Sequence, residues 1–136
     1  MAAEEKAVLK TVYALFEGMR AGDSLQVKAV FHPQARLMTT SVSSQNQETS
    51  VREESPWDFA RAIGQPHDQV YDERLRTSEV RIDGPLATVW TEYTFYLGEQ
   101  KSHCGVNAFQ LIKTAAGWKI LLITDTRRRE PCPEGR

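Results

Sequence analysis

The chain has 136 residues, 40% hydrophobic and 26% charged, with 17 basic and 18 acidic side chains and a formal net charge of −1. That length suits one domain with one hydrophobic core, and the composition is that of a folded protein rather than a disordered one. The near-balance of charge gives no electrostatic footprint for nucleic acid or for an anionic membrane surface.

The opening stretch MAAEEKAVLK carries acids where a signal peptide needs a basic region and an apolar run. No apolar stretch approaches the roughly 20 residues that span a bilayer. Two cysteines, Cys104 and Cys132, are too few for a disulfide framework, so a reduced, cytoplasmic protein is expected, with Cys104 a buried structural thiol.

In chain order, Ala7, Val8, Val12, Leu15, Phe16 and Met19 recur at three- and four-residue steps, which predicts an amphipathic helix from Glu4 to Arg20. AGDS supplies a glycine to end it and Asp23 or Ser24 to cap a short second helix, LQVKAVF, that Pro33 stops. ARLMTTSV reads as a first strand, and SSQNQETSVREES as a loop or an exposed hairpin. SPWDFARAIG predicts a third helix, with Ser55 as cap, Pro56 in the first turn and Gly64 at the exit. Four long extended segments follow, Val70–Asp83, Pro85–Gly98, Ser102–Thr114 and Gly117–Arg128, joined by the turn sequences DG, GEQK and AAG. Helices followed by strands predict an α+β fold of order α-α-β-α-β-β-β-β. It forms one domain over residues 1–128, with a flexible tail over 129–136.

This order resembles the cone-shaped fold of the nuclear transport factor two-like superfamily, which includes ketosteroid isomerases and polyketide cyclases. FHPQAR is similar to that superfamily's passage from second helix to first strand. HCGVNAFQLIKTAAGWKILLITDTRR is similar to the closing hairpin of its lumazine-binding-type branch. The resemblance implies three N-terminal helices on a strongly curved antiparallel sheet, a pocket between them and a homodimer. It also implies a cofactor-free isomerase or lyase as one possible activity.

Parity along the last hairpin puts His103, Gly105, Asn107, Phe109 and Leu111 on one face of their strand. On the last strand Lys119, Leu121, Ile123, Asp125 and Arg127 share a face, opposite Trp118, Ile120 and Leu122. His103 and Asp125 form a candidate acid–base pair, in which the carboxylate holds the tautomer and raises the histidine pKa. Asn107 is a candidate to orient a carbonyl or hydroxyl, and Arg127 to attract an anionic group. The structural alternative is that these residues only close the hairpin ends, with Arg127 pairing Glu92 or Glu130.

Tyr13 lies on the first helix, where the resemblance implies an oxyanion-stabilising tyrosine; a satisfied core hydroxyl is the alternative. His32 is explained by a helix C-terminus, which favours a cation. Trp57, Trp90, Tyr93 and Phe95 could line an apolar cavity or fill it. The first strand offers Met38, Thr39 and Thr40 where ketosteroid isomerases carry their general-base carboxylate, which speaks against that mechanism. His32, His67 and His103 lack metal-ligand spacing, and there is no Gly-rich phosphate loop or serine elbow, so neither metal nor cofactor is expected.

The sequence therefore predicts an apolar pocket, lined by Met38, Thr40, Trp57, Trp90, Tyr93, Asn107 and Arg127, that takes a small apolar or aromatic molecule. A cofactor-free isomerase, cyclase or dehydratase using His103, Asp125 and Tyr13 is the alternative. A dimerisation module with a filled cavity is a third.

Overall fold

A computed structural model describes residues 2–132. Helix α1 (Ala3–Ala21) buries Val8, Leu9, Val12, Leu15, Phe16 and Met19, the stripe that the three- and four-residue periodicity marks out. Gly22 ends it in the left-handed conformation, and the Asp23 carboxylate caps α2 (Ser24–Ala29) by accepting from the Leu25 and Gln26 N–H groups. Helix α2 stops before Phe31, earlier than Pro33 suggests, because the Val30 carbonyl accepts the Ile120 N–H and starts sheet pairing. Helix α3 (Pro56–Ile63) has Ser55 as its cap and Pro56 in its first turn.

The strands are β1 (Phe31–Val42), β2 (Thr49–Glu54), β3 (Tyr71–Asp83), β4 (Leu86–Leu97), β5 (Gln100–Thr114) and β6 (Gly117–Thr126). They form one six-stranded sheet in the order β2-β1-β6-β5-β4-β3. One alternative is decided and one expectation changes here. The polar segment after β1 is a hairpin whose return strand, β2, is exposed throughout. The sheet is also mixed, because β1 runs parallel to β6, while the other neighbours pair antiparallel.

The face turned toward the helices is built in cross-strand rows. One row runs Phe31, Ile120, Leu111, Ala87, Ile82, and the next runs Leu37, Ile123, Phe109, Val89, Val80. Both pack under α1, where Phe16 meets Phe109 edge-on at 6.2 Å. Trp118 anchors the near end of the helix by donating its indole N–H to Glu4, which also pairs with Lys113.

The parity expected for β6 fails at Leu121. Gln110 pairs with Leu122 but Leu111 pairs with Ile120, so Leu121 is the extra residue of a β-bulge. Trp118 and Ile120 therefore share the inner face with Ile123 and Asp125, while Lys119 and Leu121 do not.

The cysteines overturn a further expectation, since Cys104 and Cys132 are joined in a disulfide and neither is a free thiol. Cysteine usage thus gives no support for a reducing compartment. Past β6, Arg128 exchanges both backbone hydrogen bonds with Cys104, so the chain is held against β5 as far as Cys132. The last four tail residues lie outside the described residues. Among those described, no helix is long and apolar enough to cross a membrane.

Candidate functional site

The concave face does not stay apolar. The third row, toward the open end of the cone, runs Arg52, Thr39, Asp125, Asn107, Thr91, Ser78 across all six strands. Apolar rows below and a polar row above divide a cavity of about 320 Å³ between sheet, α1 and α3. That volume is at the small end for small-molecule sites. Leu15, Phe16, Met19, Phe59, Ile63 and Phe109 line its apolar part. Glu73, Asn107, His103 and Asp125 line its polar part, and exposed Arg52, Glu54 and Arg127 stand at its rim.

Glu73, on β3, is the residue the sequence reading missed. It alternates with Tyr71 and Leu75, so an acid sits on the apolar face of its strand, and that mismatch was the available signal. Its Oε2 accepts the Asn107 Nδ2–H at 2.7 Å. Burial pushes its carboxyl up to about 7, helped by the Asp125 charge and opposed by the Asn107 amide and by Arg127. At neutral pH acid and carboxylate forms of Glu73 coexist.

Asp125 is held differently. Its Oδ2 accepts from the Arg127 Nε–H at 3.2 Å and lies 3.3 Å from the Tyr93 hydroxyl. The Tyr93 hydrogen goes to the Thr126 carbonyl at 2.7 Å, and burial, with Asp125 and Glu73 nearby, raises the phenol so that it stays protonated. That carbonyl projects beneath Gly105, where an added Cβ would lie 2.1 Å from the oxygen. The missing side chain at Gly105 lets the Thr126 backbone approach β5 this closely.

His103 and Asp125 line the same cavity but make no hydrogen bond to each other. His103 Nδ1 lies 3.0 Å from the Ser102 hydroxyl, and its ring stacks on Phe95 at 5.1 Å. Burial, with Arg127 second, pushes the His103 pKa down, against the expected rise, and the Asp125 charge does not overcome them. The expected dyad is thus replaced by two others, Glu73–Asn107 and Asp125–Arg127.

The remaining candidates divide. Asn107, Arg127 and Met38 line the cavity, as does Thr39 in place of Thr40, whose hydroxyl instead donates to the Asp125 carbonyl. Tyr93 sits behind the lining and supports Asp125 and Thr126. Tyr13 is 44% exposed and away from the cavity. Trp57 packs edge-on against Phe31, and Trp90, 53% exposed, lies on the outer sheet face in a shallow groove with Arg81, Gln110 and Leu122. His32 accepts the Gln34 N–H, a local turn contact. Among the described residues, no group of three or more His, Cys, Asp or Glu is placed to hold a metal.

Helices closing the concave face of a curved sheet over a polar-lipped cavity define the nuclear transport factor two-like class of α+β proteins. Within that class, residues 3–123 match the family described as Putative lumazine-binding, and the chain belongs to it. No protein of curated function matches the chain. Solved structures share the fold. An NTF2-like protein of unknown function from Shewanella baltica has a TM-score of 0.69 at 16% identity, covering 93% of this chain and 95% of that one. An NTF2-like protein with a cystatin-like fold from Novosphingobium aromaticivorans has a TM-score of 0.70 at 11% identity, covering 91% and 81%. A protein named as a putative dehydratase of the NTF2-like family from Streptomyces avermitilis has a TM-score of 0.66 at 15% identity, covering 92% and 96%.

Proposed function

We propose that this protein binds a small, mostly apolar molecule in the cavity between α1, α3 and the sheet, with its polar end at the Asn107 row. The observation that carries this reading is the layering of the concave face: apolar rows beneath, then hydrogen-bonding groups converging from β3, β5 and β6. Aromatic rings supply area and the polar groups fix orientation, the usual division of labour in such sites. Trp57 and Trp90 lie away from the cavity, so they do not plug it as a filled dimerisation module would require.

A thermal-shift screen with steroids, pteridines, flavins and aromatic polyketide-like compounds tests the reading. A ligand at 100 times its Kd adds about 2.7 kcal/mol, worth several degrees here. The shift should vanish in Ala62→Trp, which sets an indole over the cavity from α3. No shift with any compound, or shifts equal in that variant, would remove the cavity as the binding site.

Glu73 favours a second reading, a cofactor-free isomerase, cyclase or dehydratase. A carboxyl titrating near 7 both takes and returns protons at neutral pH. Loss of solvent deuterium exchange at a bound ligand's acidic C–H in Glu73→Gln would support it. The homodimer belongs to the same proposal, with the outer face around exposed Trp90 as its interface. Sedimentation of Trp90→Glu as the same species as wild type would count against that face.

A further inference from the structure

With Glu73 ionised, the polar end of the cavity carries one negative charge more than its own cations balance. On β6, Asp125 is matched by Arg127. On β5, Asn107 is neutral and His103 is held toward its neutral form by burial and by Arg127. On β4, Tyr93 remains a protonated phenol. At the rim, Arg52 and Glu54 of β2 are of opposite sign and exposed, and the helices contribute apolar side chains. Glu73 on β3 remains, with the uncharged Asn107 amide as its hydrogen-bond partner.

The immediate surroundings of Glu73 are aromatic. Phe95 is its direct cross-strand neighbour, and Tyr71 stands two residues away on the same face of β3. Their rings meet at 6.0 Å and tilt by 56°, with the His67 imidazole stacked on one face of Tyr71 at 4.1 Å and that of His103 on one face of Phe95 at 5.1 Å, which leaves one face of each ring for a ligand. Both rings and the carboxylate line one cavity. Ring faces attract cations through their quadrupole, and a desolvated carboxylate lacking a cationic partner is unstable until a positive charge or a proton reaches it.

We propose that the cavity is a site for a small organic monocation, a protonated amine or quaternary ammonium on an apolar body, with Glu73 as its counter-ion. The inference rests on the binding reading and adds the charge of the ligand to it. The cationic head lies between Glu73, Tyr71 and Phe95, and the apolar body extends over Phe109 toward α1. Without such a ligand the same place is filled by a proton on Glu73, so ligand and proton compete.

The test uses the full chain and matched probes, followed by heteronuclear NMR titration. Benzyltrimethylammonium is compared with neopentylbenzene, in which carbon replaces the charged nitrogen, and choline with its tert-butyl carbon analogue. Each cation is expected to bind about tenfold or more tightly than its isostere at pH 8. Because these ammonium groups do not titrate, any pH dependence belongs to the protein. Cation affinity should fall by up to about tenfold per pH unit once the pH is below the Glu73 midpoint. In Glu73→Gln the preference and the pH dependence should both disappear, while isostere binding and the melting temperature are not lowered. If isosteres bind wild type as tightly as cations, or Glu73→Gln keeps the preference, the inference fails and the cavity reading stands. If no member of either pair perturbs cavity resonances while a neutral compound of the thermal-shift screen does, the inference alone fails; if none of them does, both fail.

Discussion

The Asn107 amide donates to the Glu73 carboxylate at 2.7 Å although they stand 34 positions apart in sequence and the whole of β4 lies between them. Both residues lie on the concave face, and the sheet curves enough to bring a β3 side chain across to β5. The pair places an ionisable group where water is scarce. Its titration should therefore be written into the stability of the fold.

Glu73 binds its proton more tightly in the folded chain, near 7, than an ordinary carboxyl near 4.5. Between those values the folded state holds more protons than the unfolded state, so stability should fall as pH rises through this window and level off above it. Glu73→Gln should flatten the profile and exceed wild type at pH 8 by on the order of 2–3 kcal/mol. Denaturant melts at pH 5, 6, 7 and 8 check this (the series is set about the midpoint). An Asn107→Leu substitution removes the amide and should move the midpoint higher still, read from the Glu73 carboxyl carbon by NMR.

Gly105→Ala should be among the more damaging single-methyl additions in this protein. The added Cβ would stand 2.1 Å from the Thr126 carbonyl oxygen, which is backbone and cannot swing aside. A loss of several kcal/mol is expected, of the order seen for overpacking at a rigid site. Tyr93→Phe removes the hydroxyl that grips the same carbonyl and should cost about 1–2 kcal/mol. Urea midpoints of the two variants should rank in that order.

The Cys104–Cys132 bond closes a loop with a sequence separation of 28. Chain-entropy reasoning for a loop of that size gives about 3–4 kcal/mol. Reduction, or the Cys132→Ala variant, should lower the melting temperature by about 10 °C in a domain of this length. Thiol titration of the unfolded, unreduced protein should find no free thiol.

Tyr13 is 44% exposed and stands outside the cavity. Tyr13→Phe should leave stability within about 0.5 kcal/mol of wild type and leave any ligand affinity unchanged. A loss of affinity in a calorimetric titration would reopen its role as a polariser.

Much of the fold is legible along the chain because the signals are local. The α1 stripe, the Asp23 and Ser55 caps, Pro56 in the first turn and the turns before each late strand all depend on residues within a few positions of one another. The resemblance carried by FHPQAR and the closing hairpin agrees with the family match over residues 3–123. His103, Asn107, Asp125 and Arg127 do gather at one cavity, since alternation keeps them together wherever a strand stays regular.

What only the tertiary structure decided is pairing at a distance. The bulge at Leu121 changes the parity of β6 without leaving a mark in local composition. The parallel union of β1 with β6, and the Cys104–Cys132 bond, join segments that nothing local relates. The partners of the ionisable groups also depended on the folded shape. Sheet curvature gave Glu73 to Asn107, while Asp125 went to Arg127 and His103 to Ser102 and Phe95. Hydrogen bonds and burial act over a few ångströms of space, and spacing along the chain sets those distances only within a single helix, strand or turn.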